Sequence, residues 1–403
     1  MRIKPSQTKI EELLSRGVEE VIVCRNLERK LKSGRKLRIK LGADPSAPDL
    51  HLGHAVVLKK LREFQDLGHK IIFIIGDFTA LIGDPSSRSK TRPQLSKKVA
   101  EKNAQTYLEQ VGKILDVKKA EIRRNSQWFS KVNLEDCLKL AGKFTVARIL
   151  ERDDFDQRIK KGQEIGLHEI FYPMMQAYDS VMIKADVEIG GTDQKFNMLA
   201  GHDLQRKLGQ GPQDIITCPL LIGTDGKQKM SKTLDNFIGL TESPNEQYGK
   251  SMSIPDKLII HYFELATRKT QKEINQIKKD LRSGQLKPRE AKAQLAREIV
   301  AIYHTKKAAR QAEKEFNRVF SQKERPSQIK AKRLKGKNYQ ILDLLVELKL
   351  APSKSEARRL VAQKGVRING QVAGDWKKVV RIKQGMVIQV GKRKFIKIAR
   401  PPQ

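Results

Sequence analysis

Residues 36–77 read KLRIKLGADPSAPDLHLGHAVVLKKLREFQDLGHKIIFIIGD, and this stretch decides the fold. It opens with alternating basic and apolar side chains, which predict a strand, and GADPSAPDL follows as a turn. The next segment predicts a helix because its apolar residues recur with helical spacing, at Leu58, Leu61, Phe64 and Leu67. KIIFIIGD is a short β-branched run, typical of a strand buried on both faces of a parallel sheet. Together these segments indicate a βαβ unit with a right-handed crossover.

A parallel sheet of this kind binds ligands at the carboxyl ends of its strands, where GADPS and the start of the helix lie. Residues 103–166 are predicted to be mainly helical, and residues 186–190 and 215–223 to form further strands. The sequence therefore predicts an α/β fold, with a Rossmann-like parallel-sheet core interrupted by a helical insertion. Residues 244–322 are predicted to be helical and charged, and a Lys-rich linker then leads to a small α+β module at 339–398.

The charge of the chain favours a polyanionic partner. Its 403 residues include 81 Lys+Arg against 46 Asp+Glu, a formal net charge of +35. An ordinary solvated surface remains an alternative wherever the basic residues do not cluster. The chain has no apolar run long enough to span a membrane and no signal peptide, so we expect a soluble, cytoplasmic protein without a membrane partner. The three cysteines are far apart and form no metal-like cluster with the histidines, so no metal site is predicted.

The first candidate site is the turn HLGH at the predicted start of the helix. Backbone N–H groups at a helix start form an anion site, and two imidazoles one turn apart can donate to the same phosphate. These imidazoles belong to His51 and His54, and Gly53 between them leaves room for a flat base. Two histidines near a helix start are more often caps or surface residues, so this string decides little alone.

The second candidate site is the string KMSKT at residues 229–233, after a predicted strand and an Asp225-Gly226 turn. A mobile loop that carries Lys229 and Lys232 can close over a triphosphate and neutralise the charge on the departing pyrophosphate. An ordinary basic loop is the alternative for any Lys-rich pentapeptide. The conjunction favours a site, because HLGH and KMSKT stand in this order and each follows the end of a predicted strand.

HLGH and KMSKT resemble the HIGH and KMSKS signatures of the class I aminoacyl-tRNA synthetases. Three further stretches resemble the tyrosyl branch: GDFTALIGDPS at 76–86, YPMMQAYDS at 172–180 and GGTDQKFN at 190–197. The resemblance covers nearly the whole chain. It implies a ligase that activates L-tyrosine with ATP, releases pyrophosphate and transfers the tyrosyl group to the 3′ end of tRNA-Tyr, with Mg²⁺ carried by ATP. Because the family is dimeric through its helical insertion, a homodimer is expected.

The resemblance also implies roles for individual residues. Tyr172, Gln176 and Asp179 lie four and three residues apart, so a helix presents them on one face, with Asp179 accepting the phenolic hydrogen bond. The expected catalytic residues are His51 and His54 at the phosphate and Lys229 and Lys232 at the pyrophosphate. The expected ATP-binding residues are Ser46, Gly53, Gly191, Asp193, Met230 and Lys232. The expected tyrosine-binding residues are Asp44, Asp84, Tyr172, Gln176, Asp179 and Gln194.

One departure from the family lies in the strand before the turn. Many members have a tyrosine there, in a YCGxDP pattern, that also touches the phenol. This chain has Lys40-Leu41-Gly42 instead. A second hydroxyl contact must therefore come from elsewhere or be missing, so selectivity follows less directly from the sequence than activity does.

The C-terminal module resembles the small RNA-binding domain named for a ribosomal small-subunit protein. Five basic residues are predicted to contact RNA, namely Lys354, Arg358, Arg359, Lys364 and Arg367. We therefore predict a catalytic domain at 1–240 with its helical insertion at about 103–166, an α-helical domain at 241–325, a linker at 326–338 and an RNA-binding domain at 339–403.

Three other functions stay open at this point. A tryptophanyl-tRNA synthetase shares both signatures, but the Tyr172, Gln176 and Asp179 set and the C-terminal module favour tyrosine. An RNA-binding protein with a retired synthetase site is disfavoured by its intact histidines and lysines. A small-molecule nucleotidyltransferase also uses an HxGH turn, but it has no reason to carry the C-terminal module.

Overall fold

The computed structural model describes residues 5–45, 48–86, 96–320, 329–334, 336–391 and 394–399. The chain divides into two compact units, Met1–Ala309 and Arg310–Gln403. Each unit has an apolar core of its own. Among the helices within the described ranges, none has both the length and the apolar character needed to cross a membrane.

The first unit is built on a six-stranded sheet. Its strands are β1 Glu20–Ile22, β2 Arg38–Ala43, β3 Lys70–Ile75, β4 Glu121–Arg124, β5 Val187–Gly191 and β6 Asp214–Cys218. They lie in the order β1-β6-β5-β2-β3-β4, and every neighbouring pair is parallel except β1 with β6. The strand order reverses between β2 and β5, and this type of sheet opens a ligand crevice at such a point.

Ten helices precede, cover or interrupt this sheet within the described residues. They are α1 Gln7–Ser15, α2 Cys24–Lys32, α3 Leu52–Asp66, α4 Lys97–Val111, α5 Ser126–Phe129, α6 Leu134–Ala141, α7 Val146–Leu150, α8 Asp153–Lys160, α9 Leu167–Met182 and α10 Lys195–Lys207. The predicted βαβ unit is confirmed, because α3 connects β2 to β3 and the two strands pair in parallel. Leu58, Leu61 and Phe64 of α3 are buried in the core, as their spacing predicts.

Two predicted ranges differ from the structure in detail. The strand β4 lies inside the range 103–166, which the sequence predicts to be mainly helical. Its four residues, EIRR, carry too much charge and are too few to give a strand pattern. The strand β6 ends at Cys218, before the predicted 223, because Pro219 has no N–H to donate to the ladder.

A run of helices follows the sheet: α11 Pro244–Met252, α12 Ile259–Ala266, α13 Gln271–Ser283, α14 Pro288–Tyr303 and α15 Lys306–Phe320. Phe263 of α12 and Leu295 of α14 belong to the same core cluster as Leu61 of α3 and Phe73 of β3. The helices α11 to α14 therefore pack in the same compact unit as the sheet, and the boundary at 241 remains a proposal.

The second unit is α+β. Its elements are β7 Lys330–Lys332, β8 Asn338–Gln340, α16 Ile341–Glu347, α17 Lys354–Ala362, β9 Val366–Ile368, β10 Gln371–Val372, β11 Val379–Arg381, β12 Val387–Val390 and β13 Lys394–Ile398. One sheet has the order β10-β9-β12-β13-β7, and β11 pairs with β8. The core gathers Leu344 and Leu345 of α16, Val361 of α17 and Ile388 of β12. The strand β7 lies within the segment that the sequence predicts to be a linker.

Candidate active site

A cavity of about 950 Å³ opens where β2, β5, the start of α3 and one face of α9 meet. This is the crevice that the strand order predicts. The loop at 228–234 closes part of its wall. Most residues that the sequence singles out line it, namely Asp44, His51, Gly53, His54, Asp84, Tyr172, Gln176, Asp179, Gly191, Asp193, Gln194, Lys229 and Met230. Ser46 lies outside the described residues.

The two histidines of HLGH form the cap of α3. The backbone N–H of Gly53 donates to Nδ1 of His51 at 3.2 Å, and the N–H of His51 donates to Nδ1 of His54 at 3.2 Å. A neutral imidazole that accepts at Nδ1 carries its proton on Nε2. Both rings therefore keep an Nε2–H donor that these caps do not use.

Burial keeps both histidines uncharged. Together with the charge of Lys232, it lowers the pKa of His54 to about 4. Burial and the charges of His54, Lys232 and Lys229 also hold the pKa of His51 well below its ordinary value. The structure brings the two signature strings together, because Lys229 and Met230 line the same cavity as both histidines, although Lys232 is not among the lining residues. At neutral pH the rings serve as donors rather than as cations.

The KMSKT loop presents its lysines in two different settings. Nζ of Lys229 lies 2.7 Å from Oδ2 of Asp193, which also lines the cavity. Nζ of Lys232 is buried and has no hydrogen-bond partner among the described residues. Burial lowers the pKa of Lys232, and the charge of Asp49 opposes this effect. Because a buried ammonium without a partner is costly, this group fits an anionic ligand.

Asn236 fixes the base of the same loop. Its Oδ1 accepts from the N–H of Ser231 at 2.7 Å, and its Nδ2 donates to Asp225 Oδ2 at 3.0 Å and to the carbonyl of Lys229 at 3.1 Å. A Cβ at Gly223 would lie 2.2 Å from Nδ2 of Asn236, so only glycine fits there. Met230 is buried in the core of the unit. The loop is thus anchored through the bonds of Asn236 and the burial of Met230.

One end of the cavity holds a buried carboxylate, that of Asp179 on α9. Oδ1 accepts from Nε1 of Trp128 at 2.9 Å, and Oδ2 accepts from Nδ2 of Asn125 at 3.3 Å. Burial raises the pKa of Asp179 to about 7, although the charge of Lys40 opposes the rise. The amide oxygen of Gln176 on the same helix face is buried without a partner among the described residues. These acceptors suit a ligand with a hydroxyl or an amine.

The other side of the cavity carries a second polar group of residues. Nε2 of Gln194 donates to Oδ2 of Asp84 at 2.7 Å, and Nδ2 of Asn197 donates to Oε1 of Gln194 at 3.0 Å. The hydroxyl of Tyr172 donates to Oδ2 of Asp44 at 3.0 Å. The two carboxylates, Asp44 and Asp84, suit a cationic ammonium group.

Several residues of the site have no individual role predicted from the sequence. Trp128 and Asn125 bind Asp179 from a short helix and its cap, far away in the chain. Glu188 lines the cavity beside Gln176. Gly76 is required because a Cβ there would lie 2.1 Å from Oδ1 of Asp44. Glu188 and Gly76 lie in predicted strands, whereas Asn125 and Trp128 follow a strand, β4, that the sequence does not predict.

The five residues predicted to bind RNA are all exposed in the second unit. Two of them form ion pairs, Lys354 with Asp343 at 2.5 Å and Arg359 with Glu356 at 2.8 Å. The guanidinium of Arg358 lies 4.3 Å from the ring centroid of Trp376. Lys364 and Arg367 lie at and just after the turn that follows α17. Both arginines near the helix centre thus reach solvent.

No group of three or more His, Cys, Asp or Glu side chains within the described residues is arranged to hold a metal ion. Mg²⁺ bound to a nucleotide needs few protein ligands, because it keeps waters and phosphate oxygens.

Comparison with known proteins identifies relatives for both units. Residues 32–321 match the family model described as tRNA synthetases class I (W and Y), and residues 341–388 match the S4 domain. A tyrosine–tRNA ligase from Moorella thermoacetica is 50% identical over 390 residues, which cover 96% of this chain and 94% of the relative. The tyrosine–tRNA ligase of Thermotoga maritima is 49% identical over 388 residues, 96% of each chain.

Solved structures share the fold at lower identity. A C-terminally truncated mitochondrial tyrosyl-tRNA synthetase from Aspergillus nidulans superposes with a TM-score of 0.64 at 24% identity, covering 78% of this chain and 95% of that one. The tyrosyl-tRNA synthetase of Archaeoglobus fulgidus, in complex with L-tyrosine, gives 0.61 at 23% identity and covers 76% and 99%. These likenesses support the parallel-sheet fold.

Proposed function

Because this chain belongs to the tyrosine–tRNA ligases of the class I tRNA synthetase family, we propose that its cavity is where tyrosine is activated. The enzyme is a ligase that joins L-tyrosine to tRNA, with ATP as the energy source. The single observation that carries the assignment of the site is the meeting of His51, His54 and Lys229 with Asp179 around one cavity. A nucleotide and an aromatic amino acid fit in a cavity of about 950 Å³.

The reaction needs no protein nucleophile. The carboxylate of tyrosine is ionised at neutral pH and attacks the α-phosphate of ATP. The new bond joins a carboxylate oxygen to phosphorus, while the bond from phosphorus to the bridging oxygen breaks and pyrophosphate leaves with the electron pair. Catalysis then consists of positioning and of stabilising the charge that develops in the transition state.

We assign the stabilising groups to the two signature strings. The Nε2–H donors of His51 and His54 bind the pentacoordinate phosphate, and Lys229 and Lys232 bind the departing pyrophosphate. Mg²⁺ enters with ATP as part of the substrate. Removal of one such donor costs about 3 kcal/mol of transition-state stabilisation in comparable sites. The partnerless ammonium of Lys232 supports this assignment, because a polyphosphate supplies the missing counter-charge.

Tyrosine would lie between the two polar ends of the cavity. Asp179 accepts the hydrogen bond of the phenol, and Tyr172, Gln176 and Asp84 surround the α-ammonium group, next to Gln194 and Asp44. Gly191 and Asp193 bind the ribose of ATP, and Gly53 and Met230 lie against the nucleotide. Ser46 is proposed to reach the phosphate, although it lies outside the described residues.

The second step transfers the tyrosyl group to the terminal ribose of tRNA-Tyr. The attacking group is proposed to be its 2′-hydroxyl, and adenosine monophosphate then leaves. The S4 domain match and the exposed Lys354, Arg358, Arg359, Lys364 and Arg367 support binding of the tRNA backbone by the second unit. A cytoplasmic location stays an expectation.

We also propose a homodimer that forms through the helical insertion. Six large apolar side chains of α6 to α9 are exposed, namely Leu134, Leu138, Val146, Ile159, Leu167 and Met182. Leu134 and Leu167 are 75% and 73% exposed, which is costly unless another surface covers them. Four of the six lie in the insertion predicted at about 103–166, namely Leu134, Leu138, Val146 and Ile159, so the part of the chain predicted to dimerise from its resemblance carries exposed apolar area.

The proposed activity is tested by ATP–pyrophosphate exchange with each of the twenty amino acids in turn. We expect exchange driven by tyrosine and little by phenylalanine or tryptophan. Exchange with tryptophan but not with tyrosine would overturn the substrate assignment. A Lys232→Ala variant with undiminished exchange would remove Lys232 from the catalytic set, and a wild type that exchanges with none of the twenty amino acids would favour a binding protein with a retired site.

A further inference from the structure

Lys40 occupies the position in β2 where many relatives by resemblance have a tyrosine that touches the phenol. Its side chain is fully buried, with none of its surface exposed. The ammonium does not line the cavity. Nζ lies 2.9 Å from Oε1 of Glu188 and donates to Oγ of Ser180 at 2.6 Å and to the carbonyl of Gln176 at 3.0 Å. All three of its protons therefore have acceptors.

Glu188, the partner of Lys40, is also buried and hydrogen-bonded. Glu188 lies on β5 and is 2% exposed. Its Oε1 also accepts from Nε2 of Gln176 at 3.2 Å, and its Oε2 accepts from Ser180 at 3.1 Å and from Gln213. Burying an ion pair is costly unless the remaining lone pairs and protons are satisfied. Here they are satisfied, and the pair touches the helix that carries the tyrosine-binding face.

The contacts of Lys40 bracket Asp179. Along α9, Gln176 and Ser180 lie on either side of it, and the ammonium binds both. The same ammonium thus fixes the backbone at Gln176, and its charge favours the ionised form of the Asp179 carboxylate. An apolar residue at position 40 would supply neither.

We infer that Lys40 is a specificity-determining positioning residue. Its buried ammonium fixes α9 where this helix lines the tyrosine pocket, and it keeps Asp179 an ionised acceptor for the phenol. It replaces a direct second contact to the hydroxyl by an electrostatic one. The inference rests on the tyrosine activation proposed above, and it extends that proposal to a residue outside the cavity lining.

The charges around Asp179 support this role. Burial raises the pKa of Asp179 to about 7, Lys40 is the largest influence in the opposite direction, and the bonds from Trp128 and Asn125 add to it. Glu188 on β5 acts in the same direction as burial. The hydroxyl of Tyr172 on α9 also interacts with Asp179. An ionised carboxylate accepts a hydrogen bond about twice as strongly as a neutral one.

The test measures kcat/KM for tyrosine and for phenylalanine by pyrophosphate exchange between pH 6 and 9. The proteins are the wild type, Lys40→Met, Glu188→Gln and the double variant. In the wild type we expect kcat/KM for tyrosine to fall as the pH drops through about 7, since Asp179 then gains a proton. Phenylalanine has no hydroxyl to donate, so its weak exchange should not follow this titration.

The two single variants should shift this midpoint in opposite directions. Loss of the Lys40 charge raises the midpoint by about one pH unit, and loss of the Glu188 charge lowers it. At pH 7 the ratio of tyrosine to phenylalanine kcat/KM should fall several-fold in Lys40→Met and recover towards pH 9. Loosened packing alone would move both variants in the same direction and would not recover at high pH.

The double variant keeps the test decisive if Lys40→Met does not fold. The double variant leaves no unpaired buried carboxylate, which favours its folding. It differs from Glu188→Gln only at position 40, so the loss of the Lys40 charge should place its midpoint above that of Glu188→Gln. Equal midpoints, or equal losses for tyrosine and phenylalanine at every pH, would overturn the inference. A wild type without tyrosine-dependent pyrophosphate exchange at any pH would instead overturn the proposed function.

Discussion

We propose that His51 uses the two nitrogens of its ring for two purposes, the cap of α3 and the binding of phosphate. Its Nδ1 caps α3 by accepting from the N–H of Gly53, and this bond leaves the proton on Nε2. The low pKa of the ring keeps it neutral, so it does not add a third positive charge beside Lys229 and Lys232. The cap and the phosphate donor can therefore be separated by mutation.

The variant His51→Asn separates them. Asparagine is among the best N-cap residues and can still accept from the Gly53 N–H, but it has no donor at the Nε2 position. We expect kcat of adenylate formation to fall about 100- to 1000-fold while KM for tyrosine and ATP changes little. Pyrophosphate exchange gives the rates, and thermal unfolding serves as the control.

An unchanged kcat in a folded His51→Asn enzyme would remove this histidine from the catalytic set. The pH profile supplies a second check. Because burial and nearby charges hold the pKa of both His51 and His54 low, neither ring titrates near pH 7. An acid limb at that pH would belong to Asp179.

The site residues that belong to sequence motifs are predictable from those motifs. The helical spacing of Tyr172, Gln176 and Asp179 predicted a shared face, and all three line the cavity. The bonds from Trp128 and Asn125 to Asp179 were out of reach, since they depend on how a distant short helix packs. The sequence shows Lys40 only as a departure from the family pattern, because its partner lies on another strand.

The conformation of the KMSKT loop depends on one side chain at its base, that of Asn236. Asn236 is 3% exposed and bonds to Ser231, to the carbonyl of Lys229 and to Asp225. A loop that must position two ammonium groups loses precision when such an anchor is removed. The anchor is not part of the signature string.

We therefore expect Asn236→Ala to impair catalysis, although Asn236 itself is not proposed to contact a substrate. Adenylate formation should slow about tenfold or more and KM for ATP should rise, because the loop populates other conformations. Rapid-quench measurement of adenylate formation gives the rate, and limited proteolysis should cut residues 228–234 faster. The neighbouring Asp235 is exposed, and it supplies the control variant Asp235→Asn. Similar losses in both variants would contradict an anchoring role for Asn236.

Elements followed the sequence where a pattern was long enough to be specific. The helix α3 showed clear periodicity, and the strand β3 showed a continuous apolar run. The strand β4 did not, because EIRR forms a strand only through its pairing with β3. Pro173 lies inside α9, where the lack of an N–H usually argues against a helix, yet α9 continues through it.

Part of the net charge of +35 lies in the second unit, where we propose that basic side chains bind RNA phosphates. Removing a side chain that binds a phosphate should weaken RNA binding and reduce the salt dependence of binding by about one unit of slope. We expect the triple variant Arg358→Gln, Lys364→Gln, Arg367→Gln to raise KM for tRNA at least tenfold in aminoacylation. Pyrophosphate exchange, which needs no tRNA, should be unchanged in the same protein. An unchanged KM and salt slope would place the tRNA-binding surface elsewhere.

The exposed apolar side chains of the insertion bear on the assembly. Leu134 and Leu138 lie four residues apart on α6 and are 75% and 64% exposed. Burying such a leucine at an interface contributes about 1.5–3 kcal/mol. A two-fold interface would bring both copies of each side chain under cover, so a charge introduced there would act twice.

We therefore expect the wild type to have twice the mass of the 45.9 kDa chain at micromolar concentration. The variant Leu134→Glu, Leu138→Glu should have the mass of a single chain, because desolvating four carboxylates in a symmetric interface costs more than the apolar contacts supply. Light scattering coupled to size exclusion measures both. Val372→Glu, at an exposed apolar position in the second unit, should leave the mass unchanged. A wild type that stays at 45.9 kDa would mean that the exposed leucines serve another purpose.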